Sequence, residues 1–291
     1  MKTHKTASLK LFATAALVAG LGGTSASAGL VAVDFNAGGA DTGLANAYTA
    51  WPGSNNIYVR TPGDLTYANY GITQTGTPTG VYTGNPSNTD RMDSSNLSSA
   101  MSGEIWFSFL VDVSNETGNF AGMAFDENAS SAAPDRYSPN LSELRIVMSP
   151  NELWVDWEGG STNGAWTPDA TVTGFSTGTH LVLGQLDVVA GADTLNIWVD
   201  PDLSSGPVVL GDLGAADYTD SSIDYLDSIA RIGATIYDRP TNEQSKVDAI
   251  RLSDTSTAFQ DVTGVALVPE PSSLALLGLG GLLIGARRRH G

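Results

Sequence analysis

Residues 104–113 read Glu-Ile-Trp-Phe-Ser-Phe-Leu-Val-Asp-Val, and this stretch decides the fold class. Every second residue from Ile105 to Val113 is apolar, while Glu104, Ser108 and Asp112 fall in the alternate positions. A period of two residues predicts a β-strand with one face in a hydrophobic core. The strand is ten residues long, so it predicts a sheet large enough to organise a whole domain.

Further short alternating segments follow the same rule, and breaks rich in Gly, Pro, Ser and Asn separate them. They lie at residues 30–35, 119–125, 144–148, 152–157, 180–188, 194–199, 228–236 and 247–252. Residues 189–193 have the length and the glycine of a hairpin loop. No strand–helix–strand rhythm is present, so the pattern predicts an all-β sandwich.

Composition excludes several classes of function. The middle of the chain, residues 29–267, has 8 basic and 30 acidic residues, a net charge of −22 that repels nucleic acid. The chain contains no cysteine, which excludes disulfides and thiol chemistry. His180 is the one histidine of that segment, so a multi-histidine zinc site is excluded as well.

Residues 1–28 have the three-part pattern of a secretory signal. Basic residues precede an apolar run at 11–21, which is too short to be a permanent membrane span. Ala26 and Ala28 form a small-x-small site, so we expect the Sec machinery to export the chain and signal peptidase to cleave it after Ala28. The alternative is an N-terminal helix that packs on the domain.

Residues 268–291 form a second distinct segment. Pro269, Glu270 and Pro271 precede an uncharged apolar stretch at 272–286, and Arg287, Arg288 and Arg289 follow it. As a helix the stretch would reach about 22 Å, short of the ~30 Å hydrocarbon core. Arginine side chains can extend that reach and orient the helix with its positive end in the cytoplasm.

The segment resembles the PEP-CTERM sorting signal of Gram-negative bacteria, which carries the same Pro-Glu-Pro, short apolar helix and arginine cluster. The resemblance implies transient anchoring in the inner membrane, processing by an exosortase, a membrane enzyme, and delivery to the cell surface or extracellular matrix. The alternative is an ordinary C-terminal anchor.

The middle of the chain resembles laminin-G/concanavalin-like jelly rolls. The resemblance rests on residues 104–110, 122–125, 180–183, 195–201 and 248–252, and it extends over most of 30–265. It implies a single jelly-roll β-sandwich of two antiparallel sheets at 29–267, between a signal helix and a short C-terminal membrane helix. Many relatives use the concave face of such a sandwich for glycans, and many bind calcium at a strand rim.

The best candidate site is the strand at 152–158. Strand alternation places Glu152, Trp154, Asp156 and Glu158 on one face and the apolar residues on the other. Carboxylates and an indole can bind a sugar. Alternatively, Glu152, Asp156 and Glu158 could supply the paired carboxylates of a glycoside hydrolase, or act in a polysaccharide lyase. The spacing Glu-x-x-x-Asp-x-Glu departs from the Glu-x-Asp motif of laminarinase-type hydrolases, so we do not expect an enzyme.

Two further groups extend these expectations. Trp106, Trp198 and Asn196 share polar strand faces, so Trp106, Trp154 and Trp198 could form a sugar-stacking platform if their strands share a sheet. Asp200 and Asp202 are candidate calcium ligands. Other acidic candidates are Asp212, Asp217, Asp220, Asp224, Asp227 and the segment 34–43.

We therefore expect an exported protein of the cell surface or the exopolysaccharide. It either binds a glycan without catalysis or, alternatively, is a structural matrix protein without a specific ligand. The expected partners are the export and sorting enzymes and an extracellular polysaccharide. Calcium is the expected inorganic partner.

Overall fold

A computed structural model describes residues 29–33, 42–43, 57–60, 65–68, 70–72, 80–83, 91–113, 118–127, 143–157, 168–204, 206–237 and 245–268. The predicted signal helix with Ala26 and Ala28, the tail from Pro269 onward and Glu158 lie outside these residues. No helix within the described ranges is long and apolar enough to cross a membrane.

The strands of the described residues form two antiparallel sheets and one short parallel pair. Their bounds are β1 Leu30–Val33, β2 Thr42–Gly43, β3 Ile57–Arg60, β4 Gly80–Thr83, β5 Arg91–Met101, β6 Gly103–Asp112, β7 Phe120–Asp126, β8 Glu143–Ser149, β9 Glu152–Asp156, β10 Ala170–Thr173, β11 Thr179–Val188, β12 Thr194–Val199, β13 Val208–Val209, β14 Tyr218–Asp220, β15 Ile229–Tyr237, β16 Lys246–Ser253 and β17 Leu267–Val268. A 3₁₀-helix spans Leu210–Leu213, and an α-helix, α1, spans Ala258–Thr263.

The larger sheet has the order β14-β12-β11-β6-β16-β4-β3-β2, with β1 also paired to β16. The second sheet has the order β10-β9-β8-β7-β15-β5. Strands β15 and β16 follow one another in the chain but lie in different sheets. Strand β15 pairs with β7, and β16 pairs with β6. On their other sides, β15 pairs with β5 and β16 pairs with β4. Strand pairs that wrap around one another in this way form the expected jelly-roll sandwich.

The main core lies between the two sheets. Alternate residues of β6 from Ile105 to Val113 pack there against inward residues of the second sheet, among them Phe125 and Ile146. Phe107 and Phe125 meet edge to face at 5.1 Å between ring centroids. Gly184 of β11 lies opposite Phe107, and a Cβ built at Gly184 would lie 1.9 Å from the Phe107 ring, so the ring occupies the space that glycine leaves.

A second core covers the outer face of the larger sheet. The outward residues of β6, β11 and β12 pack under α1 and under the segment 200–217. Its members include Trp106, Leu110, Leu181, Leu183, Trp198, Leu203, Val208, Leu213, Phe259 and Val262. A sheet that is apolar on both faces needs other elements packed against both faces. The larger sheet therefore forms the middle layer of this part of the protein.

The strands predicted from alternation are confirmed, with boundaries within one or two residues, and so is the hairpin between β11 and β12. Alternation did not indicate the short strands β2, β3, β4, β10, β13, β14 and β17, the polar strand β5, or α1. Strands of two to four residues contain too few positions for a period to show, and α1 has only six residues.

Candidate functional site

The polar face that the sequence predicts for β9 lies on the outer side of the six-stranded sheet. Leu153 and Val155 enter the main core, as expected, and Glu152, Trp154 and Asp156 lie on the opposite face. Trp154 Nε1 donates a hydrogen bond to Glu152 Oε2 at 2.5 Å. Both side chains are half-buried, so each retains surface that a ligand could contact.

Two more aromatic side chains lie beside Trp154. The ring of Phe120 lies 5.9 Å from Trp154, centroid to centroid, and stacks on Tyr237 at 5.4 Å. Strand register explains the group. Phe120 of β7 pairs with Tyr237, and the next residue, Ala121, pairs with Met148 of β8, which pairs with Leu153 beside Trp154. Trp154, Phe120 and Tyr237 therefore form an aromatic end of this sheet face, which we call the aromatic end below.

Charged residues occupy the other end of the same face. Asp126 pairs in register with Arg231, and their side chains form an ion pair with 2.7 Å between Arg231 Nη2 and Asp126 Oδ2. Arg145 pairs in register with Asp156 on the neighbouring strands. These four residues are at most 5% exposed, and buried charges in proteins are retained in pairs.

Small residues separate the two ends. In register, Trp154 lies opposite Val147, Val147 opposite Gly122, and Gly122 opposite Thr235. A Cβ built at Gly122 would lie 2.2 Å from the carbonyl oxygen of Ile146, so only glycine fits there. Val147 and Thr235 are fully buried, so the middle of this face is covered, with the aromatic group at one end and the charged pairs at the other.

Two of the three candidate carboxylates, Glu152 and Asp156, do not have the geometry of a glycosidase pair, and the third, Glu158, lies outside the described residues. Glu152 and Asp156 are four residues apart on one strand, which separates them by about 13 Å at ~3.3 Å per residue. Glycosidases hold their two carboxyl groups roughly 5–9.5 Å apart. Asp156 is also only 2% exposed, so Glu152 and Asp156 do not form an acid–base pair in this structure.

The structure does not form the predicted platform of three tryptophans. Trp154 lies on the six-stranded sheet, whereas Trp106 and Trp198 lie on the larger one. Trp106 and Trp198 stack on each other at 5.9 Å, and Phe259 of α1 lies edge-on to Trp106 at 5.0 Å. They are 2% and 7% exposed, so α1 and the segment after β12 cover the faces that a sugar would need.

The polar atoms near these two rings are engaged within the protein. Trp106 Nε1 donates to Glu104 Oε1 at 2.8 Å, and Trp198 Nε1 donates to the carbonyl oxygen of Gly214 at 3.3 Å. Asn196 accepts a hydrogen bond from Thr219 at 3.0 Å. A half-open cavity of about 160 Å³ adjoins Trp106, and its lining residues are Glu104, Trp106, Thr255, Ser256, Thr257, Ala258, Phe259, Gln260 and Leu267.

The predicted calcium ligands are engaged in turns. Asp200 accepts from Leu181 N at 3.0 Å and lies 2.6 Å from His180 Nδ1, and Asp202 accepts from Ser204 N at 2.9 Å. The hydrogen bonds from Ser204 also hold the pKa of Asp202 below its usual value. Within the described part of the chain, no three acidic, histidine or cysteine side chains form a group that could hold a metal ion.

His180 is buried in a polar pair. Its Nδ1 lies 2.6 Å from Asp200 Oδ2 and its Nε2 lies 2.8 Å from the carbonyl oxygen of Ser176. Burial lowers the pKa of His180, but the hydrogen bond and charge of Asp200 outweigh it, so the pKa is raised above 6.5. Two acceptors require two N–H donors, so the ring is an imidazolium.

Charge and burial also act on Tyr67. Burial, together with the charges of Asp200 and Asp202, raises the pKa of Tyr67 to about 12, so this phenol stays protonated. Both ring nitrogens of His180 are bonded, one to the carboxylate of Asp200 and the other to the carbonyl oxygen of Ser176, so neither is bonded to a serine nucleophile. The pair therefore serves the fold.

Solved structures similar to the chain include lectins and glucanases. The potassium-bound carbohydrate recognition domain of Emp46p is 10% identical over 68% of this chain and 88% of its own, with a TM-score of 0.44. The endo-1,3-β-glucanase of Streptomyces sioyaensis is 12% identical over 81% and 99%, with a TM-score of 0.44. The β-glucanase of Bacillus licheniformis is 10% identical over 78% and 99%, with a TM-score of 0.42.

A comparison with curated proteins gives no match. The end of the chain, in contrast, matches a family model. Residues 267–289 match the PEP-CTERM protein-sorting motif, as the Pro-Glu-Pro and the arginine cluster predict. The chain thus carries a PEP-CTERM sorting motif, which implies export and a membrane-associated sorting signal at its C-terminus.

Proposed function

We propose that this is an exported protein that an exosortase-type membrane enzyme releases to the cell surface or extracellular matrix, where its jelly roll binds a glycan without cutting it. The PEP-CTERM motif at 267–289 is the observation that supports sorting. The signal pattern at 1–28 supports export from the other end of the chain.

Glycan binding is proposed for the aromatic end of the six-stranded sheet. Trp154 offers a partly exposed indole, and Glu152 next to it offers a carboxylate that can accept hydrogen bonds from sugar hydroxyls. Phe120 and Tyr237 support the indole from the side, which limits the conformational freedom that binding would remove. The wide spacing of Glu152 and Asp156, together with the burial of Asp156, supports binding in preference to hydrolysis.

A glycan array with the full chain, followed by titration of each positive glycan, tests this proposal. Trp154→Ala should weaken binding about tenfold or more, because truncation of a central aromatic contact costs more than about 1.4 kcal/mol. Thr177→Ala changes an exposed loop position and is the control, with unchanged affinity expected. Reducing-end assays on the same glycans should give no product.

Three results would change the proposal. Equal affinity of Trp154→Ala and the wild type would remove the aromatic end as the binding site. Product in the reducing-end assay would support the hydrolase or lyase instead. An array with no positive glycan would support a structural matrix protein without a specific ligand.

A further inference from the structure

We propose that one end of the sandwich, which we call the junction end, rests on the lipid surface of the inner membrane while the sorting tail is inserted. The junction end contains Gly103, the start of β1 and the pair of β13 with β17. This inference rests on the proposed function, because it requires the tail to be held in a bilayer. It adds the orientation of the domain and the surface that contacts lipid.

Both terminal segments leave the domain at the junction end. β1 begins at Leu30, which pairs in register with Ser253, and Ser253 pairs with Trp106 near the start of β6. At the other terminus, Leu267 lines the cavity beside Glu104, also near the start of β6. The predicted signal junction and the sorting motif therefore emerge from the same end of the larger sheet.

The tail leaves the domain with almost no spacer. Leu267 and Val268 are the first residues of the sorting motif, and they form β17, which pairs with Val208 and Val209 of β13. Only three residues lie between Val268 and the apolar stretch that begins at Ser272, and the four Cα-to-Cα steps reach at most about 14 Å. The headgroup region is about 5–8 Å deep on each side of a bilayer. An inserted stretch therefore holds β17 at, or a few ångströms above, the lipid surface.

Exposed apolar side chains lie at the same end. In the described part of the chain, the exposed large hydrophobic residues are Leu30 at 49%, Val189 at 43%, Leu210 at 39% and Leu267 at 38%. Leu210 directly follows β13, and Val189 directly follows Val188, which pairs with Gly103. Apolar side chains that gather around one end of a domain mark a contact surface.

Charge decides which lipid the junction end would accept. Residues 180–230 and 252–268 contain no lysine or arginine, and Glu104 and Asp254 add negative charge there. Basic residues are what attract proteins to anionic lipids, so electrostatic attraction is absent. The contact would be apolar, and it would form on zwitterionic lipid and persist at high salt.

The absence of cysteine allows a direct test. The full chain is expressed for export in a bacterial host that lacks a sorting enzyme, so that the tail is retained, and is reconstituted into phosphatidylcholine vesicles. Single-cysteine variants Leu210→Cys, Val189→Cys and Thr177→Cys receive a fluorophore, and a nitroxide on the lipid headgroup quenches it. Thr177 is the control, because it is exposed and precedes Thr179, which pairs with Asp112 at the far end of β6, about 30 Å from Gly103.

The proposal predicts strong quenching at Leu210 and Val189 and none at Thr177, with no decrease in 0.5 M salt, a concentration that screens charges beyond about 4–5 Å. Val189 decides the question, because it lies in the loop between β11 and β12 and is not carried to lipid by β17. If vesicles carry the protein upward in a flotation gradient but Val189 is no more quenched than Thr177, the domain does not rest on lipid, although the tail does insert. If the protein does not float with the vesicles, the tail is not a membrane tether, and the proposed sorting route fails together with this inference.

Discussion

Several aspartate side chains among the described residues hold loops. Asp193 is fully buried and accepts hydrogen bonds from the backbone of Val189, Tyr225 and Leu226 at 2.9–3.1 Å, so it joins the β11–β12 hairpin to the segment before β15. Asp220 accepts hydrogen bonds from the backbone N–H groups of Ser222 and Ile223 and so stabilises its own turn. Charge-assisted hydrogen bonds to backbone N–H groups are among the stronger ones. The acidic composition that suggested calcium therefore includes carboxylates that stabilise turns.

His180 gives a pH-dependence prediction. Its pKa is raised in the folded protein, so its contribution to stability is complete below about 6.5 and is lost as the pH rises through the raised value. Urea unfolding at pH 5.5 to 8.5 should show the free energy of unfolding falling by up to about 1.4 kcal/mol per pH unit in that window.

His180→Gln is the matched control for this experiment, because it keeps a polar side chain and cannot titrate. His180 is the one histidine of residues 29–267, so the difference between the two proteins isolates its titration. Parallel pH profiles of wild type and variant would contradict the imidazolium, and a wild type that gains stability with rising pH would reverse the sign of the shift.

At the scale of elements, alternation predicted which face of a strand each residue takes but not what covers that face. The pattern of β6 placed Trp106 correctly on the face opposite the main core. The cover is Phe259 of α1, some 150 residues later in the chain, and a six-residue helix has too few turns for its period to be seen. Local sequence contains no signal for such a contact, so the tryptophan platform was a reasonable expectation that the structure replaces with a second core.

The contact between His180 and Asp200 shows the same limit at shorter range. Once the β11–β12 hairpin is known, the pairing of Val182 with Val199 brings Asp200 close to Leu181 and His180. The sequence predicted the hairpin, but its register depends on the loop geometry at 189–193. The pair could therefore be found only after the register was known.

Phe259→Ala tests the second core. Loss of this buried ring should lower the free energy of unfolding by about 3–5 kcal/mol, as core Phe→Ala changes do. The tryptophan fluorescence of the folded variant should also shift to longer wavelength, because Trp106 would lose its edge-on neighbour and meet water.

Gln260→Ala, on the same helix but with an exposed side chain, is the control and should change the stability by less than about 0.5 kcal/mol. Equal and small losses in the two variants would mean that α1 does not cover Trp106 as a packed layer.

At the scale of the whole molecule, the fold and the sorting motif meet without a linker. The last described strand, β17, belongs both to the domain, through its pairing with β13, and to the motif, which begins at Leu267. The sequence predicted the motif and the sandwich separately, with a boundary after residue 267. Because β17 has only two residues and pairs with residues 59 positions earlier, no local pattern could show that the domain continues into the motif.

The mass of the delivered protein tests the sorting route most directly. The full chain is expressed in a Gram-negative host that has a PEP-CTERM sorting system, and the surface and extracellular forms are purified for intact mass and terminal sequencing. The account predicts a chain that begins at Gly29 and has lost at least Arg287–Gly291. A delivered chain that still ends at Gly291, or a variant truncated before Pro269 that reaches the same location in the same amount, would contradict it.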